Sequence, residues 1–318
     1  MHAYLVERLA ICASLKGKLS GTRINALDGL LVNRGTDSKL ASELIVKTVR
    51  RQNASAEGQA RRFATGEKLL TSFLEPNAKH GAASLKLTLA ALAGYITDNL
   101  PCARWIEAPL KTVSKAMGKT KSDYSYIWSS NKDLVRGTLA CEEQGELSQI
   151  SGLVIRTCVT EYAMSLMKRQ EQKSVRDGGE MSAGYSGWNF VVDFKEHRFG
   201  AEIQANTFAM MYGKMSKAEF CKQLRFNDAQ YEDRRRKAMY PGGLSHALYD
   251  ISDARFDASK EDKDNALALS LDYNDLCRNL DRKPNLADIN SRLRSLSFKS
   301  KEAIAHWKEA VDGSGGLM

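Results

Sequence analysis

Trp188-Asn-Phe-Val-Val-Asp-Phe194, Lys195-Glu-His-Arg198 and Phe199-Gly-Ala-Glu-Ile-Gln-Ala-Asn206 run consecutively and decide how the rest of the chain is read. Trp188, Phe190, Val192 and Phe194 alternate with smaller or polar residues, the pattern of a strand with one buried face. The four-residue turn at 195–198 leads into a second strand, so the stretch predicts a β-hairpin. Because strand side chains alternate with period two, Glu202, Gln204 and Asn206 share one face, and Ile203 and Ala205 point the other way. Such a row of polar groups beside an apolar hairpin suits an active-site wall, and equally suits a solvated sheet face.

Working outward, Leu134–Cys141 has the apolar and β-branched mix of another strand, and residues 144–170 read as a helix. Helical patterns resume from Phe208. Residues 1–100 look helical, with Leu5, Leu9 and Cys12 in one stripe, Ala41, Leu44, Ile45 and Thr48 in a second, and Leu85, Leu89, Leu92 and Ile96 in a third. The tail, 251–318, is helical and polar, with starts at Pro284 and Ser300 and a glycine-rich terminus. The expected architecture is α+β: a small sheet in a 101–250 domain, between a helical N-terminal region (1–100) and a helical C-terminal extension (251–318).

Composition narrows the function classes. The 318 residues are 43% hydrophobic and 27% charged, values of a folded globular chain. The uncharged run Leu87–Thr97 is eleven residues long, whereas a membrane-spanning helix takes ~20. Glu7 and Arg8 precede the first apolar stretch, which argues against a signal peptide. The six cysteines are widely spaced without a CxxC or Cys/His cluster, so reduced core thiols of a cytoplasmic protein are expected rather than zinc or disulfides. The net charge of +9 favours phosphate-bearing partners such as nucleotides, RNA or acidic lipid.

Candidate chemistry lies around the hairpin. Asp133 opens the strand that carries Arg136 and Thr138. A carboxylate there, beside Glu202 of a neighbouring strand, suits Mg²⁺, which takes one or two carboxylates plus substrate phosphates; the plainer reading of Asp133 is a turn or cap residue. Lys111, Lys115 and Lys119 stand at i, i+4, i+8, so on a helix they share a face that either grips a triphosphate or simply meets solvent. Gly184-Tyr-Ser-Gly-Trp188 allows a tight turn that presents Tyr185 to a nucleobase, though a tyrosine there also serves packing. Arg234-Arg-Arg-Lys237 is a basic run, read as a solvated helix face or as a contact for nucleotide or RNA phosphates.

Taken singly these signals are weak, but their order is specific. Residues 111–214 resemble the synthetase domain of the RelA/SpoT family of pyrophosphokinases. The spaced lysines match its basic segment, Lys132-Asp-Leu-Val-Arg-Gly-Thr138 its metal-binding strand, Gly184-Tyr-Ser-Gly-Trp-Asn189 its Gly-Tyr loop, and Glu202-Ile-Gln-Ala-Asn-Thr207 its Glu-x-Gln strand. Met210-Met-Tyr-Gly-Lys214 and Pro241-Gly-Gly-Leu-Ser-His-Ala-Leu-Tyr249 are similar to divergent, toxin-like members. The resemblance implies a nucleotidyltransferase-type mixed sheet of about five strands flanked by helices. It also implies transfer of the β,γ-pyrophosphate of ATP to a ribose 3′-hydroxyl, with release of AMP.

By the same resemblance, Asp133 and Glu202 bind Mg²⁺, and Glu202 helps activate the hydroxyl. Gln204 positions acceptor or metal. Lys111, Lys115, Lys119 and Arg136 hold ATP phosphates, and Tyr185, Asn189 and His246 hold the acceptor. Ser186 and Asn206 replace arginines common in the family, and Trp188 replaces an aliphatic residue, departures that bear on which acceptor is used. The five histidines include no His-Asp dipeptide, on which the family's hydrolase domain is built, so the chain is expected to synthesise and not degrade. The expected product is (p)ppGpp or (p)ppApp. Its partners are ATP, a purine nucleotide and an antitoxin or immunity protein, and its site of action is the cytoplasm, reached in one version by secretion as an effector. Alternatives are a tRNA 3′-end pyrophosphokinase, a nucleotide- or RNA-binding module without turnover, and a helical interaction protein.

Overall fold

The computed structural model describes residues 56–122, 124, 128–160, 164–197, 199–238, 242–252, 258–278, 288 and 291–292. The stripes read at 5–12 and 41–48 and the helix starts at Pro284 and Ser300 lie outside the described residues. Two helices, α1 (Ala56–Leu74) and α2 (Ala82–Asn99), precede strand β1 (Arg104–Glu107). Helix α3 (Val113–Ser122), strand β2 (Val135–Cys141), helix α4 (Gln144–Thr160) and strand β3 (Met164–Gln172) follow. The hairpin comprises β4 (Gly187–Phe194) and β5 (Ala201–Thr207). Five helices complete the described chain: α5 (Phe208–Lys214), α6 (Lys217–Leu224), α7 (Asp228–Ala238), α8 (Leu244–Ser252) and α9 (Lys260–Cys277).

The sheet is mixed and five-stranded, in the order β1-β2-β5-β4-β3, so the expected fold class is the observed one. Only β2 and β5 pair in parallel; the other neighbours are antiparallel. The hairpin register sets Asn189 opposite Gln204 and Phe190 opposite Ile203. Phe190, Val192, Ile203, Ala205 and Leu139 therefore face one way, where they are buried with Leu85, Leu89, Leu92 and Ile96 of α2 and Leu147, Ile150 and Val154 of α4. The i, i+4, i+7, i+11 stripe of α2 is thus a core stripe. Leu70 and Phe73 of α1 join this core, and α2 packs directly on β1 and β2. A second core gathers Tyr212 of α5, Phe220 of α6, Leu248 of α8 and Tyr273 of α9, with Ile106 and Ala140 from the sheet. The polar side chains of β2, β5 and β4 share the face of the sheet on which this second core packs.

Two strands depart from the sequence reading. The helix expected over 144–170 ends at Thr160, and Met164–Gln172 forms β3. Met, Leu, Lys, Arg, Gln and Glu all favour helix locally. Residues Met164–Leu166 and Lys168–Gln172 instead pair with β4, with a register shift between Leu166 and Lys168, and this pairing overrides propensity. The four-residue β1, Arg104-Trp-Ile-Glu107, is too short to show a period and exists by pairing with Gly137–Ala140.

Helix α9 fixes the loop that leads into β4. Ser270 Oγ and Asn274 Nδ2 donate to the Ala183 carbonyl at 3.1 and 2.7 Å. The next residue, Gly184, has φ +77°, a conformation glycine reaches without penalty. A Cβ on Gly187 would meet the Ala205 carbonyl oxygen at 2.6 Å, so both glycines of the Gly-Tyr segment have a steric reason.

Candidate active site

Asp133 stands two residues before β2, almost wholly buried. Lys111 and Lys119 both donate to its Oδ2, each at 2.6 Å. Lys111 lies just ahead of α3 and hydrogen-bonds through its backbone to Leu134. Lys119 comes from the last turn of α3, and its ammonium also sits 5.5 Å from the centroid of the Tyr124 ring. Burial alone would raise the Asp133 pKa, but the hydrogen bonds and charges of the two lysines outweigh it and hold the carboxyl below its ordinary value of 3.8. Burial likewise works against the charge on Lys119, yet Asp133 and Tyr124 prevail and raise its pKa. Lys111 is the more buried lysine; burial pushes it down against the pull of Asp133, and the nearby charges of Lys119 and Arg136 add to this.

A carboxyl with a depressed folded-state pKa contributes stability that is complete above its unfolded pKa and is lost as pH falls through the folded value. Acidifying the protein from pH 5 toward and below the ordinary Asp133 value of 3.8 is therefore expected to lower Tm more steeply in the native chain than in Asp133→Asn. Parallel Tm curves for the two proteins over that range would show that the pair of lysines gives Asp133 no such advantage.

Lys115, expected beside the other two lysines, is exposed on α3 and is not among the groups that contact Asp133. The spacing places it on the helix as predicted, but Lys111 precedes α3, so the three do not share one helical face.

The next row of the site is set by sheet register. Arg136 of β2 lies opposite Glu202 of β5, and Thr138 lies opposite Gln204. Glu202, Gln204 and Asn206 do share the polar face, as the alternation required. Gln204 Nε2 donates to Glu202 Oε1 at 2.6 Å, and Lys214 Nζ donates to Gln204 Oε1 at 3.1 Å. Asn189, across from Gln204, has its Oδ1 buried without a hydrogen-bond partner. Arg136 Nε is buried without a partner as well. Buried polar atoms usually find partners, so both groups can meet a polar ligand or water.

Tyr185 closes the row. Its hydroxyl donates to Asn206 Oδ1 at 2.5 Å, and burial raises its pKa, which keeps it a donor. Trp188 lies on the opposite, apolar face, stacked on Phe190 with centroids 6.0 Å apart. Its bulk therefore serves the core and lies away from the polar row. Of the acceptor candidates, Tyr185 and Asn189 come together with Gln204; the side chain of His246, a residue of α8, lies outside what the structure describes. Lys214, at the end of α5, enters the site without having been marked as a site residue by the sequence. It falls within a segment similar to toxin-like members, but no spacing rule singles it out.

The basic run of α7 has carboxylate partners within the chain. Arg234 pairs with Glu142, Arg235 with Glu232 at 3.6 Å, and Arg236 and Lys237 with Asp233 at 3.3 and 3.0 Å. Arg234 also lies over the Phe208 and Phe226 rings, at 5.4 and 5.1 Å from their centroids.

Comparison with known proteins agrees with the resemblance read from the motifs. No family model matches the chain. A stretch of 147 residues, 46% of the chain, is 33% identical to the (p)ppApp synthetase toxin Tas1 of Pseudomonas aeruginosa (strain UCBPP-PA14), to which it is homologous. The match covers 30% of that protein, so the chain spans less than a third of its relative's length. Among solved structures, the type VI effector Tas1 in complex with its immunity protein is similar with 25% identity and a TM-score of 0.48, over 62% of this chain and 91% of that one. The small alarmone synthetase 1 of Bacillus subtilis bound to its product pppGpp is 15% identical with a TM-score of 0.35, over 52% of this chain and 86% of that one.

Proposed function

We propose that this chain is an ATP-dependent nucleotide 3′-pyrophosphokinase of the toxin type, making (p)ppApp or (p)ppGpp. The observation that carries the reading is the convergence of Lys111 and Lys119 on Asp133 at the head of β2, whose next side chains on the polar face run in register with Glu202 and Gln204. Kinship with a (p)ppApp synthetase toxin supports it and favours an adenosine acceptor.

The donor set fits Mg²⁺. Asp133 Oδ1 is buried without a partner, and hard carboxylate oxygens are what the ion prefers. Asp133 and Glu202 would hold it, and when bound it would neutralise charge on the β- and γ-phosphates.

The chain's own residues supply the rest. Lys111, Lys119 and Arg136 would bind the triphosphate, with exposed Lys115 reaching only its outer end. Tyr185, pinned through its hydroxyl, would stack on the acceptor base, and Asn189, Gln204 and His246 would orient the acceptor. The acceptor 3′-oxygen forms a bond to the β-phosphorus of ATP, and the bond from that phosphorus to the α,β-bridging oxygen breaks. AMP leaves with the bridging oxygen, and the hydroxyl proton passes to Glu202. Positioning and opposite charge dominate such a transfer.

The relative on which this reading leans is a (p)ppApp synthetase, which gives action on tRNA no support. Among the described residues no helix is long and apolar enough to cross a membrane. Action in the cytoplasm of a target cell, delivery as an effector and restraint by an immunity protein belong to the same toxin reading. The deciding experiment incubates the protein with γ-labelled ATP, Mg²⁺ and, separately, ADP, ATP, GDP, GTP or bulk tRNA. Label is expected to move to an adenosine nucleotide with matching AMP release. Absence of transfer to every acceptor would overturn the reading, and transfer only to tRNA would revive the alternative.

A further inference from the structure

Lys214 has no ion pair among the described residues; its hydrogen bond is to the neutral Gln204. Its ammonium lies 5.8 Å from the centroid of the Tyr185 ring and is close enough to the Arg136 guanidinium to be disfavoured by it. Burial is the larger force acting against the charge; Glu202 opposes both from beyond ion-pair distance. Arg136 lies three residues after Asp133 and opposite Glu202 in register, and Lys214 bonds to Gln204 one step along the same face, so cations follow one line from the Asp133 cluster through Arg136 to Lys214. The two ends of that line differ. Lys111 and Lys119 are already matched by a carboxylate, whereas Arg136, with a buried unpartnered Nε, and Lys214 are not.

Neither Arg136 nor Lys214 forms an ion pair among the described residues, and both border the row of Glu202 and Gln204, so a ligand that brings negative charge there meets two cations not held in an ion pair. Lys214 also stands between the donor side, marked by Arg136, and the acceptor side, marked by Tyr185 and Gln204. We propose that Lys214 is a catalytic residue whose ammonium, together with Arg136, holds the pyrophosphoryl group during its passage from ATP to the acceptor 3′-oxygen. The inference rests on the pyrophosphate-transfer reading above. The plainer role is that of a lysine closing α5, favoured by the helix terminus and by Gln204.

The test compares native protein, Lys214→Met and Lys214→Arg. Three quantities are read: kcat with the KM of ATP and of acceptor, affinity for inorganic pyrophosphate with Mg²⁺ by calorimetry, and Tm. Lys214→Met is expected to lower kcat by about 10²–10³-fold with little change in either KM, the loss typical of one preorganised charge-stabilising group. Pyrophosphate affinity should fall ~10-fold or more, the scale of a charge-assisted hydrogen bond. Lys214→Arg should recover most of both. Tm of Lys214→Met should equal or exceed that of the native protein, because an unmatched buried charge has gone.

A kcat within about threefold of native, a loss confined to the KM of the acceptor, or a lower Tm with unchanged pyrophosphate affinity would overturn the proposal, since single-donor losses are far larger. Failure of the parent reading looks different: the native protein would transfer pyrophosphate to no acceptor. The pyrophosphate titration would then still decide whether Lys214 holds that group.

Discussion

Asp133→Asn is expected to reduce AMP release from ATP on the order of 10³-fold, the several kcal/mol that metal-assisted charge stabilisation supplies. The substitution keeps the shape of the side chain and removes its charge. Oδ2 would no longer balance Lys111 and Lys119, and the unpartnered Oδ1 would lose its value as a metal ligand. The same change leaves two partly buried ammonium groups against a neutral amide, with an expected cost of about 3 kcal/mol in unfolding free energy. Chemical denaturation measures that cost, and an assay under conditions where the variant remains folded measures the chemistry. A folded variant releasing AMP at the native rate would remove Asp133 from the mechanism and leave it as a structural partner of the lysines.

Glu202→Gln is expected to lower kcat by roughly 10²–10⁴-fold, the range of a general base, with ATP affinity nearly unchanged. Glu202 is half-buried in the interior strand β5, with Arg136 opposite on β2 and Val191 opposite on β4. An amide of equal size preserves the strand pairing, and Gln204 can turn its own amide to meet it. The fold is therefore expected to survive while the proton acceptor is lost. Rapid-quench measurement of AMP in a single turnover separates this from slower product release. A native single-turnover rate would mean that the 3′-hydroxyl proton leaves by another route.

Both substitutions concern residues that the sequence marked, and the reason is geometric. Strand alternation is a property of the backbone, so Glu202, Gln204 and Asn206 had to share a face once 199–206 was a strand. The Gly-Tyr segment was equally legible, because Gly184 at positive φ and Gly187 against the Ala205 carbonyl leave little choice of residue. Lys111 and Lys119 were found by spacing, but spacing also named Lys115, which α3 turns to solvent. Helical periodicity relates residues within one helix, and Lys111 belongs to the segment before it.

What escaped the sequence depends on partners far along the chain. Met164–Gln172 carries helix-forming residues and is a strand because β4 offers it a ladder. Arg234 looks like part of an exposed basic run until Glu142, ninety-two positions away, is folded beside it. Lys214 looks like any lysine at the end of a short helix until β5 and the Tyr185 loop place Gln204 and an aromatic ring beneath it. The sequence by itself determined the α+β class and the hairpin with its polar and apolar faces, and it named the carboxylates and cations from which the proposed chemistry is built. Only the tertiary structure decided which cations are held in ion pairs and which are not. Charge balance is set by distances through space and by burial, and neither can be read from the order of residues along the chain.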